Sequence, residues 1–491
     1  MVLIPKKLSR TGKAGMLAVS GGMASFTSLL MASVLSRLFT KSDYAAYRQT
    51  LLTYGMVAPI LGLGLGQALY YFIPREPSKS RSLLTGNLLV LSAMGLLFGA
   101  AMVLGGNRIL SQGFSNPSLG KLLLVFSPYA FFALPLSGLG ACLMSLDRVK
   151  TLVAYNVLHP ALILAVVGGA ALLWGTPIAA VAATTAAALL WFVVGMIAMY
   201  SACPKGDWRP SIRDISRQVT FGISLAVAGV LGTLFMKVDK VIVSAMCSPS
   251  EFAVYVNGAT EVPLIGIISG SATAVLLPEF SRLFREGNTQ AVLDLWHRAI
   301  VKAAHILIPL SCFLFVLAPE IMTFLFSSAY RGSASIFRIY LIDLPLRATV
   351  YGAVLIGAGK GRALMYRSAG GLALNVPLSV FFVRLMGAPG AALATVLIIC
   401  AWTVPFSLYH IQKCVGGSLR TLMPWAEVLK VTVMSLGLGA ALQALRLLHL
   451  PSPVFIASGG SAFALFLIWM LGRGEVLSPR ELIGRLKTIA G

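Results

Sequence analysis

Fourteen stretches of this chain are apolar for about 20 residues each, the length a helix needs to cross the hydrocarbon core of a bilayer. They run over 15–36, 49–73, 83–104, 121–145, 152–174, 177–200, 219–246, 253–277, 299–318, 334–357, 364–383, 390–411, 426–446 and 452–472. Lipid offers no water to the backbone, so each N–H and C=O in such a run must find its partner inside the protein, and a helix provides this locally. The expected fold is therefore an all-α integral membrane protein of about fourteen transmembrane helices. GTP and GAPG turns join 152–174 to 177–200 and 364–383 to 390–411, so each pair reads as an antiparallel hairpin.

Charge agrees with this reading. Charged residues make up 11% of the chain, against about 25% in soluble domains. The net charge of +23 would suggest a nucleic-acid partner if the basic residues formed one face. Instead they occupy short gaps between the apolar runs, the pattern that sets membrane orientation, and no nucleic-acid partner is expected. With the N-terminus inside, most of the 39 Lys and Arg fall in inner loops, so both termini are assigned to the cytoplasm. The basic start, MVLIPKKLSRTGKAG, reads as the flank of an uncleaved first helix, since no small-residue cleavage site follows it. The six cysteines show no CxxC spacing and support neither a metal site nor a disulfide framework.

The two halves repeat. DYAAY (Asp43 to Tyr47) corresponds to EFAVY (Glu251 to Tyr255), and FIPRE (Phe72 to Glu76) to LLPEFSRL (Leu276 to Leu283). DRVK (Asp147 to Lys150) corresponds to GKGR (Gly359 to Arg362), and WGTPIAAVAAT (Trp174 to Thr184) to MGAPGAALAT (Met386 to Thr395). The matches keep their order at an offset of about 210 residues. That offset spans six helices, an even number, so the halves enter the membrane in the same sense, as in a parallel repeat about the membrane normal. The expected organisation is an N-terminal six-helix lobe over 1–200, a basic cytoplasmic linker over 201–218 and a C-terminal six-helix lobe over 219–412. Two further helices follow over 413–472, then an amphipathic cytoplasmic tail over 473–491, opened by a capping box of Ser478, Pro479 and Glu481.

SRLFTKSDYAAY, GLGLGQALYYFIPRE, KVDKVIV, LLPEFSRLFREGN and GAPGAALAT resemble the polysaccharide-transporter branch, the lipid-linked oligosaccharide flippases, of the multidrug/oligosaccharidyl-lipid/polysaccharide exporter superfamily. The resemblance covers nearly the whole chain. Its motifs are loose patterns of glycine, proline and charge, which identify the branch better than the cargo. It implies a protein of the bacterial cytoplasmic membrane that moves a polyprenyl-diphosphate-linked oligosaccharide, such as an O-antigen, exopolysaccharide or capsule unit, to the outer leaflet. It also implies alternating access between the lobes, a loose association with glycosyltransferases and a polymerase or ligase, no covalent chemistry, and so no catalytic residue or cofactor. The alternative within the superfamily is a cation-coupled multidrug exporter, for which a hydrophobic cavity is expected instead of a cationic one. A membrane-embedded glycan-processing enzyme is a third reading, but the outer loops are short, no DxD occurs and the five histidines are scattered.

Charges inside or at the ends of the spans are the candidate site residues. At 3.6 residues per turn, Lys237 and Lys240 lie about 60° apart on one face, with Asp239 at its edge. Asp343 and Arg347 are spaced for an i,i+4 pair, with Arg338 on the opposite side. Glu261 stands over two turns inside the eighth run without an adjacent cation, and Arg37 and Arg48 flank the loop after the first. In the family's architecture these helices line the central cavity, so Arg37, Arg48, Lys237, Lys240, Arg338 and Arg347 are expected to meet a diphosphate, Arg in bidentate contacts and Lys as a point charge. Asp239, Glu261 and Asp343 would balance those cations or bind a coupling H⁺ or Na⁺. Plainer readings stand beside these: Arg37, Arg48, Lys237 and Lys240 as residues snorkelling to the outer surface, and Asp343 with Arg347 as structural glue. Pro59 and Gly64, with Pro263 and Gly266 at corresponding places in the second half, are the expected hinges.

Overall fold

The computed structural model describes residues 10–448 and 451–473, and every regular element among them is a helix. The basic residues before Arg10 and the capping box at Ser478 lie outside the described residues. Among the described residues, eleven helices can cross a bilayer by length and composition, and thirteen spans result if two bent pairs each count once. The pairs are Lys41–Leu61 with Leu65–Arg75, bent by 42°, and Pro117–Phe126 with Tyr129–Ser145, bent by 45°.

The expected run left out of this set is 253–277, which corrects its reading as one continuous span. It falls in two helices, Pro249–Gly258 and Pro263–Arg285, with Thr260, Glu261 and Val262 between them out of helix. Pro263 sits at the first helical position, where a missing N–H removes nothing, and it pushes the residue before it away from helical geometry. Val262 accordingly adopts φ −72° and ψ 119°. On the other side, a Cβ on Gly258 would lie 2.6 Å from the Ser333 carbonyl oxygen, so this helix end is held by close backbone packing.

The other break is built differently. Lys41–Leu61 contains Pro59, and beyond its end Leu63 (φ 48°) and Gly64 (φ 66°) turn left-handed before Leu65–Arg75 begins. A Cβ on Gly64 would collide with the Gly222 carbonyl oxygen, and a Cβ on Gly222 with that of Leu63. The bend is thus pressed backbone to backbone against the Ile212–Met246 helix, where only glycine fits. Gly266, its expected counterpart, has open space around it.

The chain gathers into two compact units. One holds Met23–Val256 with Ser368–Ala391; the other holds Asn257–Arg367 with the described residues before Met23 and after Ala391. In the first, Ile212–Met246 packs against Lys41–Leu61, Leu65–Arg75 and Ser80–Ala101. Two buried amides join them: Asn87 Nδ2 donates to the Leu65 carbonyl (2.9 Å) and to Gln218 Oε1 (3.0 Å), and Gln218 Nε2 donates to the Leu83 carbonyl (3.1 Å). At the start of the same helix Arg217 bridges Glu76 (2.7 Å) and Asp214 (3.1 Å), with Lys79 3.5 Å from Glu76. In the second unit, Trp296 is fully buried and donates to the Thr349 carbonyl at 2.6 Å, inside a core that includes Phe280, Ile300, Val354 and Ile411. Arg446 fastens Trp425–Arg446 to the long helix Thr289–Phe326 through both carboxylate oxygens of Glu320 (2.6 and 2.7 Å) and the Val316 carbonyl (3.1 Å).

Two measurements check this account. Gly64→Ala adds a collision and a left-handed Cβ, itself worth about 1–2 kcal/mol, so it should lower the thermal midpoint of the detergent-purified protein by several degrees, whereas Gly266→Ala should leave it unchanged. The Arg217 hydrogen bond, with the charges of Arg217 and Lys79, holds the Glu76 carboxyl below the usual carboxylate range. The pairing therefore stabilises the fold above the ordinary carboxylate pKa and is lost as pH falls through the depressed one. Arg217 is exposed, so Glu76→Gln should reduce stability at pH 7 only slightly, and the variant and parent should converge as pH falls through the depressed Glu76 pKa.

Candidate functional site

Lys237 is held by a gap in another helix. Pro59 has no N–H, so the carbonyl four residues before it, on Gly55, lacks its helical donor. Lys237 Nζ donates to that oxygen at 2.8 Å. Gly55 makes room, because a Cβ there would run into the lysine ammonium. An unsatisfied carbonyl in lipid costs several kcal/mol, and an isolated Lys about 2.5–3.5 kcal/mol on insertion scales; the contact reduces both penalties at once.

The other unit repeats the device. Pro319 lies inside Thr289–Phe326, and the Phe315 carbonyl four residues before it accepts from Arg338 Nε at 2.9 Å. The Leu341 carbonyl, four before Pro345, is met differently: it accepts the Leu344 N–H as the chain tightens, and the Ser311 hydroxyl at 2.6 Å. The signal for these contacts is in the sequence, as a proline within an apolar run marks the carbonyl four residues upstream. Which side chain fills it depends on packing between helices distant in sequence.

Around Lys237 several polar side chains find partners within the same unit. Asp239 is 1% exposed and its Oδ2 accepts from Lys240 Nζ (3.2 Å) and from the buried Tyr255 hydroxyl (2.7 Å). Gln49, fully buried, donates to Ser244 Oγ (2.8 Å) and accepts from Asn116 Nδ2 (2.7 Å), which ties three helical segments together. Arg48 donates to the Tyr44 hydroxyl at 3.0 Å, and Arg37 is exposed in the last turn of Arg10–Leu38. Lys237 and Lys240 thus share a helix face but not a partner.

In the second unit, Arg347 is the centre of a three-residue cluster. Its Nε donates to Asp343 Oδ2 and its Nη1 to Glu261 Oε1, each at 3.0 Å. Asp343 ends the helix Ser333–Asp343 and is 4% exposed; the chain then tightens through Leu344–Thr349, where Pro345 prevents a regular continuation. Glu261 departs from the sequence expectation. It is not inside a helix and not without a cation, since it lies in the break before Pro263, with its side chain 63% exposed, and pairs with Arg347. A continuous helical wheel across Pro263 misplaced it. The spacing of Asp343 and Arg347, by contrast, did signal their contact. Sequence reasoning missed the Glu320–Arg446 pair, because the two residues lie 126 apart in the chain, in helices that no local pattern relates.

The structure therefore brings together Lys240 with Asp239, and Arg347 with Asp343 and Glu261, while Lys237, Arg48 and Arg338 each meet an uncharged acceptor. Removing Arg347 leaves Asp343 buried without its guanidinium, a loss of about 3–5 kcal/mol for a buried pair. Arg347→Ala should sharply reduce the folded yield on size-exclusion chromatography, and Arg347→Ala with Asp343→Asn should recover much of it.

A family model described as polysaccharide biosynthesis protein matches residues 34–335. Over 236 residues, 46% of this chain, the sequence is 24% identical to the probable lipid II flippase MurJ of Rhizobium meliloti (strain 1021), and the match spans 43% of that relative's length. Among solved structures, lipid II flippase MurJ in an inward closed conformation aligns with a TM-score of 0.74 at 15% identity, over 95% of this chain and 98% of that one. An inward-facing multidrug resistance MATE family transporter of the MOP superfamily aligns at 0.66 and 17% identity, over 82% and 98% of the two chains. A MOP superfamily transporter from Pyrococcus furiosus aligns at 0.59 and 17%, over 83% and 97%. Identities this low speak for a shared fold, that of a multi-pass membrane protein. The family model takes in well over half of the sequence, from the end of the first span through Lys237, Asp239, Lys240 and Glu261, and the chain belongs to the polysaccharide biosynthesis protein family.

Proposed function

We propose that this protein is a flippase that carries a polyprenyl-diphosphate-linked oligosaccharide from the cytoplasmic to the outer leaflet by alternating access between two lobes. The observation that carries the reading is the polysaccharide biosynthesis match over residues 34–335, joined to a fold shared with a lipid II flippase. The charge chemistry supports it. Lys237 is half-buried and tied to a neutral carbonyl, an acceptor that a phosphate oxygen outcompetes, since the phosphate adds the attraction of opposite charges to the hydrogen bond. Lys240 is tied to Asp239, which balances it when no phosphate is near.

In this reading Arg37, Arg48, Arg338 and Arg347 add cationic contacts along the route, and Asp239, Asp343 and Glu261 take up the coupling ion, H⁺ or Na⁺. Binding a proton at Asp343 or Glu261 weakens the hold on Arg347, and so links ion occupancy to the two breaks that end at Pro263 and Pro345. The termini lie in the cytoplasm, and glycosyltransferases and a polymerase or ligase supply and consume the cargo. The multidrug-exporter reading has the MATE-like fold in its favour, but a stripe of lysines suits an anionic cargo better than a cationic drug.

Depleting the protein should cause one lipid-linked oligosaccharide to accumulate with its glycan accessible from the cytoplasmic side, as read by mass spectrometry and leaflet labelling. Each charged contact to phosphate is worth about 1.5–3 kcal/mol, so Lys237→Gln with Lys240→Gln, which keep a donor for the Gly55 carbonyl and for Asp239, should slow transport by about tenfold or more per folded molecule. No accumulation, with new sensitivity to cationic dyes, would replace the flippase by the exporter.

A further inference from the structure

Leu65–Arg75 has one face that the core leaves uncovered and that lipid tails do not suit. Leu65, Ala68, Leu69, Phe72 and Ile73 are buried, at i, i+3, i+4, i+7 and i+8, as expected of a helix packed on one side. The opposite stripe exposes Gln67, Tyr70, Tyr71 and Arg75, and with Phe221 and Leu225 of Ile212–Met246 it lines an open cavity of about 450 Å³. A stripe turned to hydrocarbon would be aliphatic; an amide, two phenols and a guanidinium are not groups that lipid tails solvate.

The rings are fixed in place. Tyr70 is 47% exposed, yet its hydroxyl is anchored on Met144 Sδ at 3.3 Å. Tyr71 is 38% exposed; its ring lies 4.5 Å from that of Phe221, and the Arg75 guanidinium carbon stands 3.6 Å from the ring centre, with Nη1 on the Tyr71 carbonyl at 3.2 Å. Rigid, partly exposed tyrosines offer large amphipathic contact area at a low entropic cost. The C–H face of a pyranose can pack against the Tyr70 ring, while Tyr71, held between Phe221 and Arg75, offers its edge and hydroxyl; Gln67 can both donate to and accept from sugar hydroxyls, and Arg75 suits an acidic substituent or a phosphate.

We propose that Tyr70, Tyr71, Gln67 and Arg75 form a sugar-binding platform for the glycan of the lipid-linked cargo, separate from the lysines that meet its diphosphate. This rests on the flippase reading and adds to it a subsite that reads sugar. Interfacial tyrosines also anchor helices at the headgroup level, and in that case their loss would affect all ligands alike.

The test uses the full-length protein in nanodiscs with two probes, farnesyl diphosphate and farnesyl diphosphate bearing N-acetylglucosamine. The parent should bind the sugar-bearing probe about tenfold more tightly. Tyr70→Leu with Tyr71→Leu should abolish that preference while retaining affinity for the sugar-free probe, which also reports a folded protein; Tyr70→Phe with Tyr71→Phe, which keep the ring faces, should retain most of it. Equal binding of the two probes by the parent, or an undiminished preference in the leucine variant, overturns the platform alone. Binding of neither probe overturns both the platform and the flippase reading.

Discussion

A membrane helix cannot leave a carbonyl unanswered, and this chain places prolines within its apolar runs. The fold depends on how those vacancies are filled. Lys237 answers the Gly55 carbonyl freed by Pro59, and Arg338 the Phe315 carbonyl freed by Pro319. In both a cation that lipid would reject is paired with an oxygen that lipid would also reject. Each defect makes the other tolerable, and the pair fixes one helix against the next.

The same constraint shapes the breaks. Where Lys41–Leu61 gives way to Leu65–Arg75, the left-handed Leu63 and Gly64 are covered by the Gly222 backbone. Where Pro249–Gly258 gives way to Pro263–Arg285, the close contact of Gly258 with Ser333 and the Arg347–Glu261 pair serve instead. The two interrupted spans are buttressed in different ways. One relies on glycine-to-glycine contact, the other on a glycine against a carbonyl together with an ion pair. Glu320 with Arg446 adds a third fastening, between helices that no local pattern relates.

Part of the charge pairing in the candidate site was legible in the residues. The crowding of Lys237, Asp239 and Lys240 announced a polar stripe, and the spacing of Asp343 and Arg347 announced their pair. The other partners were not legible, because Gly55 and Glu261 reach these charges across 182 and 86 residues of chain, and Tyr255 from the next helix beyond a turn. Glu261 was misread for a specific reason: a wheel drawn through Pro263 assumes a helix that proline ends. The tyrosine stripe was passed over because Tyr70 and Tyr71 fit an apolar run equally well on either face, and only burial tells which side is covered.

The sequence by itself determined that the chain is all-helical and crosses the membrane many times, because runs of this length in lipid leave the backbone no other way to satisfy its hydrogen bonds. It also determined where helices must bend, through proline and glycine, and which charges must find a partner. Tertiary structure alone decided which partner each one found, whether a bend is buttressed or open, and which face of Leu65–Arg75 is exposed. Those outcomes depend on distances between helices, and the apolar pattern of a membrane helix carries little information about them, since lipid and protein neighbours demand the same residues.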